Sequence, residues 1–242
     1  MQLAGVSAPL DVLITRKVYV AASGEQFDVL CDISFKLGPG EVAAFVGPSG
    51  CGKTTILRLI AGLDPDFEGA IGRPPGTLGM VFQEPRLLPW RTVEQNIRLV
   101  APQCADATLA ALFDVLGLAQ HRAHFPGELS LGLARRVALA RAFAVEPSLL
   151  ILDEPFASLD GPLAARLRDE LSLLVGRRPV TTLLVTHDID EAVRLADRLF
   201  LLSARPARIL ADVTVPGSRS SRGEADIAAL KDNISQRLRG VG

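Results

Sequence analysis

The sequence predicts an α/β protein: a mostly parallel sheet with helices on its faces, an antiparallel β part ahead of it and an α-helical part inserted within it. Three observations carry that prediction. From residue 149 onward, short apolar runs alternate with helical patterns, which is the order of βαβ units. Residues 12–37 are rich in alternating and β-branched residues and end on the turn Gly38, Pro39, Gly40, as a β-meander does. Between residues 92 and 145 the spacing of apolar residues is helical.

Residues 1–11 carry no strong signal. The meander over 12–37 is interrupted at Ala21, Ala22, Ser23 and Gly24. Residues 41–46 (EVAAFV) form an apolar run suited to a buried strand, and 54–61 (TTILRLIA) have helical spacing that stops at Gly62. Asp64, Pro65, Asp66 and residues 72–76 are turn chemistry. Residues 78–82 read as a strand with Gln83 at its end. Pro85 and Pro89 then keep the chain non-helical to about Thr92. Thr92, Val93, Glu94 and Gln95 open a helix with a capping-box pattern. Breaks in the helical part fall near Pro102, Gly117 and Pro126 with Gly127.

Residues 149–153 then read as a strand, 162–175 as a helix, 180–186 as a strand, 189–196 as a short helix, and 198–202 and 208–213 as strands. Residues 218–223 (SRSSRG) are a polar linker and 225–238 a peripheral helix. The division expected is one domain over 1–217, with a helical subdomain over about 92–145, followed by the linker and helix over 218–242.

Composition narrows the classes. A chain of 242 residues with 48% hydrophobic and 22% charged residues is long enough for one large core and ordinary for a globular protein. The net charge of −1 gives no argument for a nucleic-acid partner. No apolar run approaches the roughly 18 residues that span a bilayer, and the N-terminus reads as no signal peptide. Three widely spaced cysteines, Cys31, Cys51 and Cys104, suit a reducing compartment better than a disulfide framework.

The chemistry concentrates at Gly47, Pro48, Ser49, Gly50, Cys51, Gly52, Lys53, Thr54 and Thr55. This is G-x-x-x-x-G-K-[ST], a phosphate-binding loop, and it lies between a strand and a helix as that loop requires. The glycines let backbone N–H groups converge, and the helix N-terminus adds partial positive charge. Lys53 can reach the β- and γ-phosphates, and the Thr54 hydroxyl can ligate Mg²⁺. Cys51 reads either as a redox switch or as a small residue that fits the loop.

Asp153 and Glu154 end an apolar strand, where ligands bind in open α/β sheets. Asp153 suits the Mg²⁺ shell, and Glu154 suits a base that orients water for attack on the γ-phosphate. His187 ends the next strand and can contact the same phosphate. His121 and His124, spaced i, i+3 without a carboxylate or Cys cluster, read as surface residues. Tyr19, the only tyrosine, reads equally as a base-stacking residue or as a strand aromatic.

Taken together, these motifs resemble the nucleotide-binding subunit of an ABC transporter, in family order from about residue 12 to 213. The phosphate loop covers 47–55. Gln83 matches the glutamine loop, 149–154 the Walker B strand and catalytic glutamate, Ser158, Leu159 and Asp160 the D-loop, and His187 the switch histidine. The resemblance places the family's base-stacking aromatic on Tyr19 and a role at the metal on Gln83. The signature motif LSGGQ falls on Leu129, Ser130, Leu131, Gly132 and Leu133. Leu131 thus replaces a glycine, and Leu133 replaces the glutamine. In the family, this segment binds ATP held by the other subunit, so Ser130, Leu131 and Gly132 face a partner's nucleotide. A leucine at 131 is expected to restrict backbone approach and positive φ, and so to weaken closure.

The resemblance implies ATP and Mg²⁺ as ligands and a head-to-tail pair with a second copy or another ABC subunit. It further implies transmembrane permease subunits as partners, a solute-binding protein indirectly, no nucleic acid, and a peripheral place on the cytoplasmic face of the inner membrane. Residues 81–84 (VFQE), 87–90 (LLPW) and 92–96 (TVEQN) look like the nitrate/sulfonate/taurine importer group; thiamine-precursor importers share much of this wording. Trp90, the only tryptophan, reads equally as a permease anchor or as a core residue. The altered signature leaves a rival: an ABC subunit of low turnover that binds or regulates in response to nucleotide.

Overall fold

The computed structural model describes residues 8–177, 180–219 and 221–239. The chain divides into two compact units, one of Met1–Pro75 with Thr181–Gly242 and one of Gly76–Val180.

In the first unit, β1 (Leu10–Val20) and β2 (Gln26–Leu37) form an antiparallel hairpin. Alternate residues of β1, among them Leu10, Val12 and Ile14, are buried, as the period of two requires. The strand starts two residues earlier than the sequence suggests. A third strand, β4 (Glu68–Gly72), pairs antiparallel with β1 on its other edge. Sequence patterning misses it because the strand is glycine-rich. At Gly69 φ is +135°, and a Cβ would lie 2.0 Å from the Leu13 carbonyl oxygen, so only glycine allows this approach.

The same unit holds β3 (Val42–Val46) between two parallel neighbours, β7 (Thr181–Thr186) and β8 (Arg198–Leu202). The strand β9 (Ile209–Thr214) lies antiparallel on β8. Every residue of β3 and β7 is buried, which fits strands covered on both faces. Phe35, Phe45 and Phe200 pack with ring centroids 4.8–5.4 Å apart and join the hairpin to the parallel strands. Helix α1 (Lys53–Ala61) ends on Gly62 in the left-handed conformation, and α6 (Ile189–Leu195) follows β7.

The C-terminal helix α7 (Glu224–Arg239) buries Ile227 and Ile234. The segment before it is tied down. Arg222 donates to the carbonyls of Val193 and Ala196, and Arg194 pairs with Glu224 at 2.6 Å.

The second unit contains the parallel pair β5 (Leu78–Val81) and β6 (Leu149–Asp153) and the helices α2 (Val93–Arg98), α3 (Asp106–Val115), α4 (Leu131–Ala144) and α5 (Gly161–Arg177). Thr92 caps α2 with the expected capping box, completed by Gln95. The break at Pro126 and Gly127 is a single 3₁₀ turn, Pro126–Glu128. His121 and His124 lie in and just after another such turn, Ala119–His121, with rings 5.1 Å apart. Both are half-buried, and His124 Nδ1 has no hydrogen-bond partner. Each is thus partly covered rather than fully exposed. No helix among the described residues is long and apolar enough to cross a membrane.

Candidate active site

In the first unit, the phosphate loop follows β3 directly and feeds α1. Gly52 is the N-cap of α1, with φ +127°, and a Cβ there would lie 2.8 Å from Leu30 Cδ2. Both backbone conformation and space therefore demand glycine. The first turn of α1 carries no acidic residue and no side-chain cap, which leaves its positive end available to an anion.

Lys53 is only 5% exposed, and its ammonium donates to the carbonyls of Gly47 at 2.7 Å and Pro48 at 2.8 Å. The cation is thus held within the curl of the loop, where a phosphate chain would lie. Pro48, Ser49, Gly50 and Thr54 are exposed, and Thr55 is half-buried. Cys51 is buried, and burial pushes its thiol up despite the opposing pull of Lys53. A buried protonated thiol is a poor nucleophile, so the packing reading of Cys51 is the better supported.

Tyr19 stands on β1, half-buried. Its hydroxyl donates to Asp64 at 2.9 Å, the ammonium of Lys17 lies 4.7 Å from its ring centroid, and Phe27 meets it edge-on at 6.4 Å. Lys17 is 2% exposed and pairs with Asp64 at 2.9 Å. Burial pushes the Asp64 carboxyl up, but hydrogen bonds from Lys17 and Tyr19 outweigh it and hold the group below the ordinary carboxylate range. Tyr19 is therefore a fixed ring with one face beneath a cation. Arg205, which no motif marks, donates to the Gly50 carbonyl at 2.7 Å and lies over Phe27 at 5.4 Å. It brings a further cation to the phosphate loop.

At the end of β7, Thr186 hydrogen-bonds Glu191 at 2.5 Å, and Asp188 caps α6 by accepting from the Asp190 N–H. His187 sits between these two anchors and is exposed.

In the second unit, β6 ends on Asp153, 4% exposed, followed by half-buried Glu154. The backbone of Glu154 is left-handed, with φ +45°, and Ser158 has φ +62°. For residues with a Cβ, each such conformation costs about 1–2 kcal/mol, and strain of this kind collects at functional sites. Buried Phe156 anchors the loop, and Arg135 of α4 reaches across to its carbonyls. Asp160 accepts from the Leu163 N–H at 2.9 Å, at the start of α5.

Ser130 is the N-cap of α4 and accepts from the Leu133 N–H at 3.3 Å. Leu131 opens the helix, 45% exposed, and does not have a positive φ. The expected backbone penalty at that position is therefore absent: the first helical residue has right-handed geometry that any residue adopts. Gly132 is buried, and a Cβ there would lie 2.6 Å from Leu163 Cδ2, so α4 and α5 pack closely at this point.

Gln83 is exposed, two residues past β5. The loop after it is ordered by two residues that sequence reading missed. Asn96, 1% exposed, accepts from the Leu88 N–H and donates to the carbonyls of Leu88, Arg91 and Thr92. Arg141 donates to those of Pro85 and Arg86. The loop presents Trp90 at 70% exposure. This excludes the core reading of that residue: its neighbours are held by their own backbone groups, not by packing on the indole.

Comparisons with known proteins agree with this arrangement. The family model described as ABC transporter matches residues 30–157. An aliphatic sulfonates import ATP-binding protein, SsuB 2, of Pseudomonas syringae pv. tomato is 41% identical over 225 residues, covering 92% of this chain and 94% of that one. A protein of the same name from Burkholderia cenocepacia is 40% identical over 242 residues, covering 96% and 88%. Among solved structures, the dimeric post-hydrolysis state of the ATP-binding cassette MJ0796 with ADP and Pi superposes with a TM-score of 0.75 at 24% identity, covering 86% of this chain and 100% of that one. With the family model covering more than half of the chain and relatives of about 40% identity covering nearly all of it, the chain belongs to the ABC transporter family.

Proposed function

We propose that this chain is the ATP-hydrolysing subunit of an importer for sulfonate-like solutes, working as a head-to-tail pair beneath transmembrane permease subunits. The observation that carries the nucleotide part is the phosphate loop, with Lys53 held inside it at the N-terminus of α1. The importer part is supported by about 40% identity to sulfonate import ATP-binding proteins over nearly the whole chain.

In this reading, residues 47–55 bind the phosphates through backbone N–H groups and the Lys53 ammonium, and Tyr19 stacks on the base. The oxygen donors Thr54, Asp153 and Gln83 suit Mg²⁺, a hard cation. That ion, when bound, would neutralise charge on the phosphates. Glu154 takes the proton of the attacking water, and His187 orients that water on the γ-phosphate. Ser130, Leu131 and Gly132 meet the nucleotide of the opposing subunit, with Asp160 at the same seam. Permease and pairing place the chain peripherally on the cytoplasmic face of the inner membrane, with a solute-binding protein as an indirect partner.

The test is steady-state hydrolysis of ATP with Mg²⁺. Lys53→Ala and Glu154→Gln should each lower turnover at least tenfold, a loss of more than about 1.4 kcal/mol of transition-state stabilisation. Unchanged hydrolysis in either variant refutes the assignment. Uptake of an alkanesulfonate by the assembled importer tests the solute.

A further inference from the structure

The loop that carries Glu154 is tied to α4 by a buried side chain. Arg135, 5% exposed, donates through Nη1 to the carbonyl oxygens of Glu154 at 3.2 Å and Pro155 at 2.8 Å, and through Nη2 to that of Ala157. Its Nε has no partner. All three acceptors lie in four consecutive residues, on a loop with left-handed backbone at Glu154 and Ser158. Within the loop, Ala157 N–H donates to Glu154 O at 3.2 Å and Leu159 N–H to Phe156 O at 3.3 Å. Burial disfavours the guanidinium charge, and the Glu154 carboxylate favours it.

A buried cation is a costly way to satisfy carbonyl groups that a neutral donor also satisfies. The planar fork, however, fixes several acceptors in one geometry at once. Arg135 also stands four residues after Leu131 on α4, on the same helical face as the exposed start of that helix.

We propose that Arg135 is a positioning residue. It fixes the backbone of residues 154–157 to the helix that begins at Ser130. The base for this chain's own nucleotide and the segment that meets the partner's nucleotide then move as one piece. This rests on the reading of Glu154 as the base. Loss of the fork leaves nucleotide binding intact, because the phosphate loop is untouched, but lets the carboxylate leave its geometry for water attack. A misplacement of about 1 Å is enough to cost on the order of 10²-fold in rate.

The experiment compares Arg135→Gln and Arg135→Lys with the native full chain. Three readouts are taken: kcat for ATP, affinity for a fluorescent ATP analogue, and ATP-driven dimerisation in a Glu154→Gln background. The expected result is a kcat at least tenfold lower in Arg135→Gln, with partial recovery in Arg135→Lys, which keeps the charge and reaches fewer carbonyls. Analogue affinity and dimerisation should stay within about threefold.

A kcat within twofold of native in a folded variant overturns the proposal. So does analogue affinity that falls in step with kcat. Loss of the folded chain in both variants overturns it too, since Arg135 would then serve the fold and nothing more. The Glu154→Gln chain alone separates the two readings. If it hydrolyses ATP like the native chain, the assignment of the base fails. If it is inactive while the Arg135 variants are not, only the positioning role fails.

Discussion

Trp90→Ala separates the fold of this protein from its assembly. The indole is 70% exposed on a loop clamped by Asn96 and Arg141. A tryptophan carries about 150–250 Å² of surface, so roughly 105–175 Å² is open and about 45–75 Å² is already covered. At ~25 cal/mol per Å², the covered part is worth about 1–2 kcal/mol, which bounds the loss of stability in the isolated chain. The open part is worth about 2.6–4.4 kcal/mol if a partner covers it. At ~1.4 kcal/mol per tenfold, that weakens the complex by roughly a hundred- to a thousandfold. Exposed aromatics of this kind are frequent anchors of interfaces.

The assays are thermal unfolding and ATP hydrolysis of the isolated chain, and binding of the chain to its permease subunits in lipid. The expected outcome is near-native hydrolysis, a small shift in melting, and loss of assembly. Permease affinity within threefold of native refutes the reasoning and removes Trp90 from the contact surface.

Two further outcomes follow from the geometry. In a Glu154→Gln background, Leu131→Gly with Leu133→Gln should tighten the ATP-bound dimer by about tenfold or more, since the glycine clears a side chain from the approach and the glutamine supplies one hydrogen bond to a charged group, worth about 1.5–3 kcal/mol; equal sedimentation of the two proteins with ATP and Mg²⁺ refutes it and removes the main support for a low-turnover subunit. Asp64→Asn should cost about 1.5–3 kcal/mol at pH 7, because it removes the near carboxylate of buried Lys17 at 2.9 Å and leaves only the exposed Asp66 carboxylate at 3.6 Å. The folded-state carboxyl sits below its unfolded value, so this stabilisation is complete above the unfolded value of about 4 and is lost as pH falls through the lower folded value. Denaturant titrations of both proteins should therefore converge in acid, and a constant difference across pH contradicts the pairing.

The sequence by itself determined those parts of the protein that depend on near neighbours. The strand, loop and helix around Lys53 follow from glycine spacing and an apolar run, which are requirements met within about twenty residues. The capping box of Thr92 and Gln95, the stop at Gly62 and the strand ending on Asp153 are local for the same reason. What only the tertiary structure decided are the relations between distant groups. The strand Glu68–Gly72 lacks strand propensity and exists because the backbone of Leu13 approaches Gly69. Tyr19 is held by Asp64, Arg135 by a loop about twenty residues on, and the Trp90 loop by Asn96 and Arg141. None of these leaves a periodic trace, because a buried donor needs an acceptor in space, not at a fixed separation along the chain. Leu131 shows the same limit from the other side. Its departure from the family pattern is plain in the sequence, but its unstrained backbone is a property of the helix it opens.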